Sequence, residues 1–520
     1  MKRVLALLLA LMLTGCATCE KPPPESAQQG IDSRFASETL IELSDSGIKT
    51  KSLSVFASND IIYYEDRDYY ESGYPYGEGE AADKHSTEEA AAHTVVNITK
   101  PGAYRVTGKL SAGQIRVDLG DDAYEDPGAV VELILDNVDL TCTVAPAILF
   151  LNVYECDGDW SKDTAKPEVD TTNAGANLIL EGKNTVSGSY VAKIYKDKDG
   201  EKKLWKQDGA IYSYMSMNVS GSGALELNAD NEGIDTELHL SINSGDIVVR
   251  SGNDGINTNE DGVSVTTING GNLHIIAGLG AEGDGIDSNG YLVINGGNVF
   301  SAAHPASDAG LDSDLGSYIH GGTVIALGSS MDWAESDSGQ VTMNLQYAAQ
   351  RTARERIVIT REDGTTAFAY DPASDEVVGE NARGFSGAII SCADFEQGQT
   401  YLVYTGNQQM MYTGTDVRRH PGGFGGGFGD DRPDNAPPEG FGGQPPEGRA
   451  PGETGEPPKD FDGHRPAWPE GEIPEKPEGN HNDGRGFQGG LERHSGEGNT
   501  LFFMQDKVNF FSGLTETTES

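Results

Sequence analysis

Two short motifs alternate along the middle of the chain at a nearly constant spacing, and this repeat restricts the fold more than any other feature. The first reads Asn231-Glu232-Gly233-Ile234-Asp235-Thr236. It returns as Asn253-Asp254-Gly255-Ile256-Asn257-Thr258, Gly283-Asp284-Gly285-Ile286-Asp287-Ser288 and Asp308-Ala309-Gly310-Leu311-Asp312-Ser313. A weaker copy is Asp208-Gly209-Ala210-Ile211-Tyr212-Ser213, and from Ala210 the equivalent positions step by 23, 22, 30 and 25 residues. The second motif reads Ile268-Asn269-Gly270-Gly271-Asn272 before an apolar run. Its variants begin at Val219, Ile242, Ile294 and Ile319, with steps of 23, 26, 26 and 25.

Two turn signals per period, with β-branched and aliphatic residues between them, describe stacked coils. A coil of about 24 residues accommodates three short strands and three turns at about 3.3 Å per strand residue. The predicted fold is therefore all-β, a parallel β-helix. A propeller needs about 40–50 residues per blade, and a calcium β-roll needs a nine-residue unit that is absent here. Alternation sends Leu225 and Leu227, Ile247 and Val249, Leu273 and Ile275, Val293 or Val299, and Val324 and Ala326 inward. The repeated Gly permits tight turns, and the repeated Asn can stack coil over coil. Ala348–Ala353 is the passage with a helical leaning.

The flanks differ in texture. Lys2 and Arg3 precede an apolar run from Val4 to Leu13, too short to span a bilayer and fitting a signal peptide. Leu13-Thr14-Gly15-Cys16 resembles the bacterial lipobox, so residues 1–15 are expected to be removed and Cys16 to carry lipid. A multi-acyl anchor holds well, each buried CH₂ contributing about 0.8 kcal/mol. Residues 16–92 read as a tether and polar lead-in, 93–330 as the β-helix, and 331–416 as a β-rich extension or cap. Residues 417–499 read as a disordered acidic insertion; the stretch 421–499 carries 13 of the 23 prolines. Residues 500–520 read as terminal strands. Cys142 and Cys156 can pair in an exported protein, the plainer alternative being small buried thiols; the absence of CxxC or Cys/His spacing argues against a zinc site.

Charge limits the partners. Lys and Arg number 37 against 82 Asp and Glu, a formal net charge of −45. Nucleic-acid binding rests on a basic face and is excluded; membrane contact is expected through the lipid alone. Residues 208–330 hold 16 acidic side chains and a single Lys or Arg, Arg250. Coils stack about 4.8 Å apart. Two carboxylates at that spacing repel by roughly 3 kcal/mol at an effective dielectric near 20. Asp254, Asp284, Asp287, Asp308, Asp312 and Asp314 would form such a ladder, and Ca²⁺, which tolerates irregular oxygen sites, would relieve it. Turn residues simply facing water are the plainer alternative. Trp160, Trp205 and Trp333 are candidates for stacking on sugar rings, against a plain packing role.

The run ITKPGAYRVTGKLSAGQIRVDL at 98–119, VELILDNVDLT at 131–141 and DGAIYS at 208–213, with the repeats, resembles one family. It is the bacterial carbohydrate-binding domain-containing family, typified by a clostridial binder of cellulose and acidic sugar. The resemblance covers roughly 93–330. It implies a right-handed parallel β-helix like that of pectate lyases, Ca²⁺ ions, and binding of cellulose or polygalacturonate-like polymers without established cleavage. The leading expectation is thus a lipid-anchored, monomeric, cell-surface protein that binds plant-type polysaccharide with Ca²⁺ and without catalysis. A Ca²⁺-dependent lyase is the first alternative; it needs a Lys or Arg base, from Arg250 or the Lys193–Lys206 insertion. A structural adhesin or envelope spacer is the second.

Overall fold

The computed structural model describes residues 33–63, 70–71, 74–75, 84–191, 206–375, 377–378, 381–414 and 498–517. Cys16, Trp205 and nearly all of the 417–499 insertion lie outside them. A coil too small to bury its own apolar residues can remove them from water only against the coils above and below. The chain does this along three faces of parallel strands. The first face runs through Gly102–Leu110, Val131–Thr141, Ala176–Glu181, Met217–Gly221, Leu240–Ile242, Val265–Ile268, Tyr291–Ile294 and Gly316–Ile319. The second climbs from Lys183–Gly188 through Ala224–Ala229, Asp246–Ser251, Asn272–Ile276 and Asn298–Ala302 to Thr323–Gly328. The third joins Thr94–Ile98, Gly113–Asp118, Ile148–Asn152, Gly209–Ser213, Glu232–Thr236 and Ile256–Thr258. Single bridges from Ile256 to Ile286 and Ile286 to Leu311 continue it.

The two sequence motifs are two parts of one coil. The Gly-Ile-Asp motif builds the third face, and the Asn-Gly turn joins the first face to the second. Register then fills the interior. Leu133, Leu178, Val219, Ile242, Ile268 and Ile294 stack behind the first face, all fully buried. Ile115, Ile148, Ile211, Ile234, Ile256 and Ile286 stack behind the third, equally buried. Each such aliphatic side chain contributes about 1.5–3 kcal/mol of burial. Of the two valines weighed from the sequence, Val299 faces the core. Val293 pairs with Thr267 and Tyr318 on the outer side.

Glycine is required where coils touch. A Cβ on Gly255 would stand 2.6 Å from the Gly285 carbonyl oxygen, and one on Gly285 would stand 2.4 Å from that of Gly310. At the Asn-Gly turn, Gly271 and Gly297 hold φ of 93° and 87°, a region that L side chains rarely enter. The asparagines stack as expected: Asn269 Nδ2 donates to Asn243 Oδ1 and Asn295 Nδ2 to Asn269 Oδ1, both at 2.9 Å.

Both ends of the stack are closed by antiparallel strands. Glu38–Leu43 lies parallel on Gly102–Leu110, with Lys49–Thr50 antiparallel outside it. Val55–Ser58 runs antiparallel on Thr94–Ile98. The first rung is therefore laid by residues within the stretch read as a polar lead-in. Arg105 fastens it, with ion pairs to Glu38 at 2.6 Å and Asp136 at 3.0 Å and a third to Glu181. At the other end Thr323–Gly328 pairs antiparallel with Phe385–Ser391, which pairs with Thr342–Arg351. Val508–Glu516 returns parallel on Thr342–Arg351. A second apolar cluster, including Phe300, Leu327, Tyr347 and Phe385, fills the space behind these strands.

One sequence expectation fails for a packing reason, and the open question of whether Cys142 and Cys156 pair is answered. Ala348–Ala353 is not helical; its first four residues end the strand Thr342–Arg351, whose Met343, Leu345 and Tyr347 are buried in the second cluster. Helix propensity is outweighed there by tertiary burial. Cys142 and Cys156 are free thiols. Cys142 lies in the solenoid core, where burial pushes its thiol up to about 12.

Candidate functional site

The outer side of the third face carries a column of carboxylates set by the coil register. Asp235 stands between Tyr212 below and Asn257 above. The bridges at Ile286 and Leu311 place Asp287 and then Asp312 in the same column. Three residues earlier in each coil, Glu232, Asp254 and Asp284 form a second column. Outward side chains of a solenoid usually meet water, yet these are enclosed: Asp235 is 0% exposed, Glu232 4% and Asp254 9%.

Burial without compensation is costly for a charge, and the titration behaviour follows. Burial, then the Asp208 charge, pushes Glu232 up to about 7. Burial and Glu232 drive Asp235 and Asp254 well above the ordinary carboxylate range. Burial and Asp312 do the same to Asp287 and bring Asp284 to about 7. Asp332, beneath Ser313, is also pushed to about 7 by burial.

Within the columns one place gathers ligand atoms. Asp208, Glu232 and Asp235 each bring a carboxylate oxygen within 4.8 Å of the others. Three buried oxygens there have no hydrogen-bond partner: Glu232 Oε2, Asp235 Oδ2 and Asn257 Oδ1. Lys206 enters from one side and ion-pairs with Asp208. Burial opposes its charge, but Asp208, Glu232 and Asp235 outweigh burial and hold the ammonium pKa well above its usual value. Three carboxylates against one ammonium leave an excess of buried negative charge. A hard cation that takes oxygen ligands at irregular geometry fits this set, and Ca²⁺ is the biological ion of that kind.

The sequence-predicted residues divide. Asp254, Asp284, Asp287 and Asp312 stand together in the columns. Asp254 and Asp284 also tie coil to coil, accepting from the backbone N–H of Asp284 at 2.7 Å and of Ala309 at 2.5 Å. Asp314 is half-buried at the edge, its carboxyl raised by burial and by Asp261. Asp308 sits at the turn from the second face, accepting from Gly283 N–H at 3.0 Å. Asp208, Glu232, Asp235 and Asp332 were missed. The repeat itself held the signal for two of them, since Glu232 occupies the motif position of Asp254 and Asp235 that of Asp287.

Of the three tryptophans, Trp160 and Trp333 lie among the described residues, and each has a partner within the protein. Trp160 donates its indole N–H to the Asp157 carbonyl at 2.7 Å. Trp333 packs edge-on against Phe510, ring centres 4.9 Å apart, where the cap meets the core. Of the cations named for lyase chemistry, Lys193, Lys196, Lys198, Lys202 and Lys203 lie outside the described residues. Arg250 pairs with Glu226 at 2.9 Å, and Lys206 is held protonated, the wrong state for a base.

A three-faced solenoid with a buried carboxylate column on one face defines a parallel β-helix protein, a fold that does not by itself fix a function. The chain belongs to the carbohydrate-binding domain-containing protein family, whose model matches residues 92–393. A relative of that description from Acetivibrio thermocellus is 30% identical over 157 residues, 30% of this chain and 45% of the relative. The chain thus spans under half of the curated relative it matches. A solved structure, described as a polysaccharide lyase-like protein from C. thermocellum in a gadolinium derivative, is 21% identical. It covers 55% of this chain and 93% of its own, with a TM-score of 0.30. The fold described above stands on its own strand register.

Proposed function

We propose that this chain is a Ca²⁺-dependent polysaccharide-binding protein that does not cleave its ligand. It is exported and held at the cell surface by lipid on Cys16. The ligand is a plant-type polymer, cellulose or a polygalacturonate-like acidic sugar. The observation that carries the Ca²⁺ dependence is the set of orphaned buried oxygens on Glu232, Asp235 and Asn257 beside Asp208. Asp208, Glu232, Asp235 and Asn257 would hold the ion, which supplies positive charge to a corner that repels itself. Such an ion is shielded from a polymer by the burial of its ligands, so it holds the scaffold and leaves the sugar to another surface. The engagement of Lys206 and Arg250 with carboxylates supports a role without catalysis.

The test is retention on polygalacturonate, cellulose and xylan, each with Ca²⁺ and with chelator, read together with absorbance of unsaturated uronates. Ca²⁺-dependent retention without new absorbance is expected. A steady absorbance rise would establish a lyase, and no retention on any polymer would leave a spacer or adhesin.

A further inference from the structure

The outer side of the first face is a groove, separate from the carboxylate columns. Parallel register lays its floor in two rows. One row is Asn177, Asn218, Ser241, Thr267, Val293 and, at the end, Tyr318. The other is Ile179, Ser220, Asn243, Asn269, Asn295 and His320. Segment 166–172 forms a wall, and the enclosed volume is about 810 Å³. The wall is bonded to the floor: the Thr171 hydroxyl contacts Asn218 Oδ1 at 2.8 Å and the Ser241 hydroxyl at 2.7 Å, and Asn218 Nδ2 donates to the Thr171 carbonyl at 2.8 Å. Arg34 braces it from outside through the Thr172 carbonyl.

We propose that this groove holds an extended, neutral 1,4-linked glycan along the solenoid axis, one sugar for each rung. The inference rests on the polysaccharide-binding reading and names where the polymer lies and of what class it is. Four observations carry it. The rows repeat with the coils, about 4.8 Å apart, close to the advance of one pyranose along an extended chain. Asn218, Ser220 and Ser241 lie buried beneath the wall, so the open length runs from Asn243 to His320, three steps or roughly 14 Å, room for about three sugars. The floor offers amides and hydroxyls, which both donate and accept, as sugar hydroxyls do. Asn269 and Asn295 each spend one N–H on the ladder and keep a second that the ladder does not use.

The charges decide between neutral and acidic polymers. Arg34 and Lys166 are matched by Glu132, Glu168 and Asp170 in the same lining. Glu132 is already satisfied by the Ser33 hydroxyl and the Arg34 N–H. No surplus of positive charge awaits a polyuronate, and the chain's net charge of −45 repels one. One end carries rings. Tyr318 stacks with His320 at 6.2 Å and 26°, and Tyr291 stands 6.1 Å from Tyr318. Such a platform suits the CH face of a terminal sugar.

The experiment is calorimetric titration of the full chain in Ca²⁺ with cello-oligosaccharides of rising length and with oligogalacturonate. Wild type is compared with Asn269→Trp, which fills the groove from an exposed position, and with Tyr318→Ala. Affinity is expected to rise with each added sugar until the rungs are filled. Asn269→Trp should weaken binding at least tenfold and Tyr318→Ala several-fold, with Ca²⁺ affinity unchanged. If wild type binds cello-oligosaccharides and both variants, folded by circular dichroism, bind them equally well, the groove assignment is overturned while polysaccharide binding stands. If it binds oligogalacturonate alone, the neutral occupant is overturned. If it binds no glycan, the underlying functional reading fails, and the groove proposal with it.

Discussion

Replacing Glu232 with Gln in the metal-free protein should make it more stable at pH 8, and the reverse in Ca²⁺. In the folded, metal-free chain burial and Asp208 raise this carboxyl from 4.5 to about 7. Between those values the folded state holds a proton that the unfolded chain has lost. Stability therefore falls as pH rises through this window, by roughly 3 kcal/mol for a shift of that size. Above pH 7 the full cost is present. The substituted amide would carry no charge, so Glu232→Gln should recover most of that roughly 3 kcal/mol at pH 8 and none at pH 4. Its amide N–H groups can also reach the oxygens that now lack partners on Asp235 and Asn257. With Ca²⁺ at the proposed site the sign should change, because a ligand that binds only the folded state at a hundred times its Kd adds about 2.7 kcal/mol, and the variant would lose a ligand atom for it. The assay is denaturant unfolding at pH 4, 6 and 8 in chelator and in Ca²⁺. A wild-type protein that gains stability from pH 6 to pH 8 in chelator would refute the reasoning, as would a destabilising Glu232→Gln at pH 8 in chelator.

Other perturbations test the scaffold. Gly255→Ala sets a Cβ 2.1 Å from Ile275 Cγ2 and 2.6 Å from the Gly285 carbonyl, and should cost about 3 kcal/mol or more in denaturant unfolding. Arg105→Ala releases Glu38, Asp136 and Glu181, and should speed amide hydrogen exchange in Glu38–Leu43 well before the central coils respond. Cys142, buried and with its thiol raised to about 12, should resist alkylation at pH 8 until the solenoid unfolds, as mass spectrometry of the modified chain would show. Trp333→Phe should leave glycan affinity unchanged in the titration described above, since its ring packs on Phe510.

The solenoid was legible because its signals are periodic. A glycine that must avoid the carbonyl of the next coil, and an isoleucine that must meet its copy, recur at each turn of the chain. The first rung was illegible for the same reason. Glu38–Leu43 stands outside the period and joins the stack through Arg105, a contact 67 residues away in sequence. The cap strand Thr342–Arg351 misled because its alanines favour a helix, while burial of Met343, Leu345 and Tyr347 is a fact of the fold. Of the residues in the carboxylate columns, sequence named Asp254, Asp284, Asp287 and Asp312. It passed over Glu232 and Asp235 because their enclosure depends on Lys206 and Asp208, which precede the clean repeats. The groove left little trace in the sequence: amides and hydroxyls at alternate positions are ordinary surface residues until register aligns them.

The antiparallel strands that close the stack at both ends have an evolutionary corollary. Because Val55–Ser58 and Phe385–Ser391 seal the termini, neither end depends on how many coils lie between. Tandem duplication or loss of a whole coil would meet the same caps and preserve every column. Such a molecule is a ruler whose length can be edited in units of one rung. On the groove proposal, relatives with more coils should then measure longer stretches of polymer with the same chemistry at each mark.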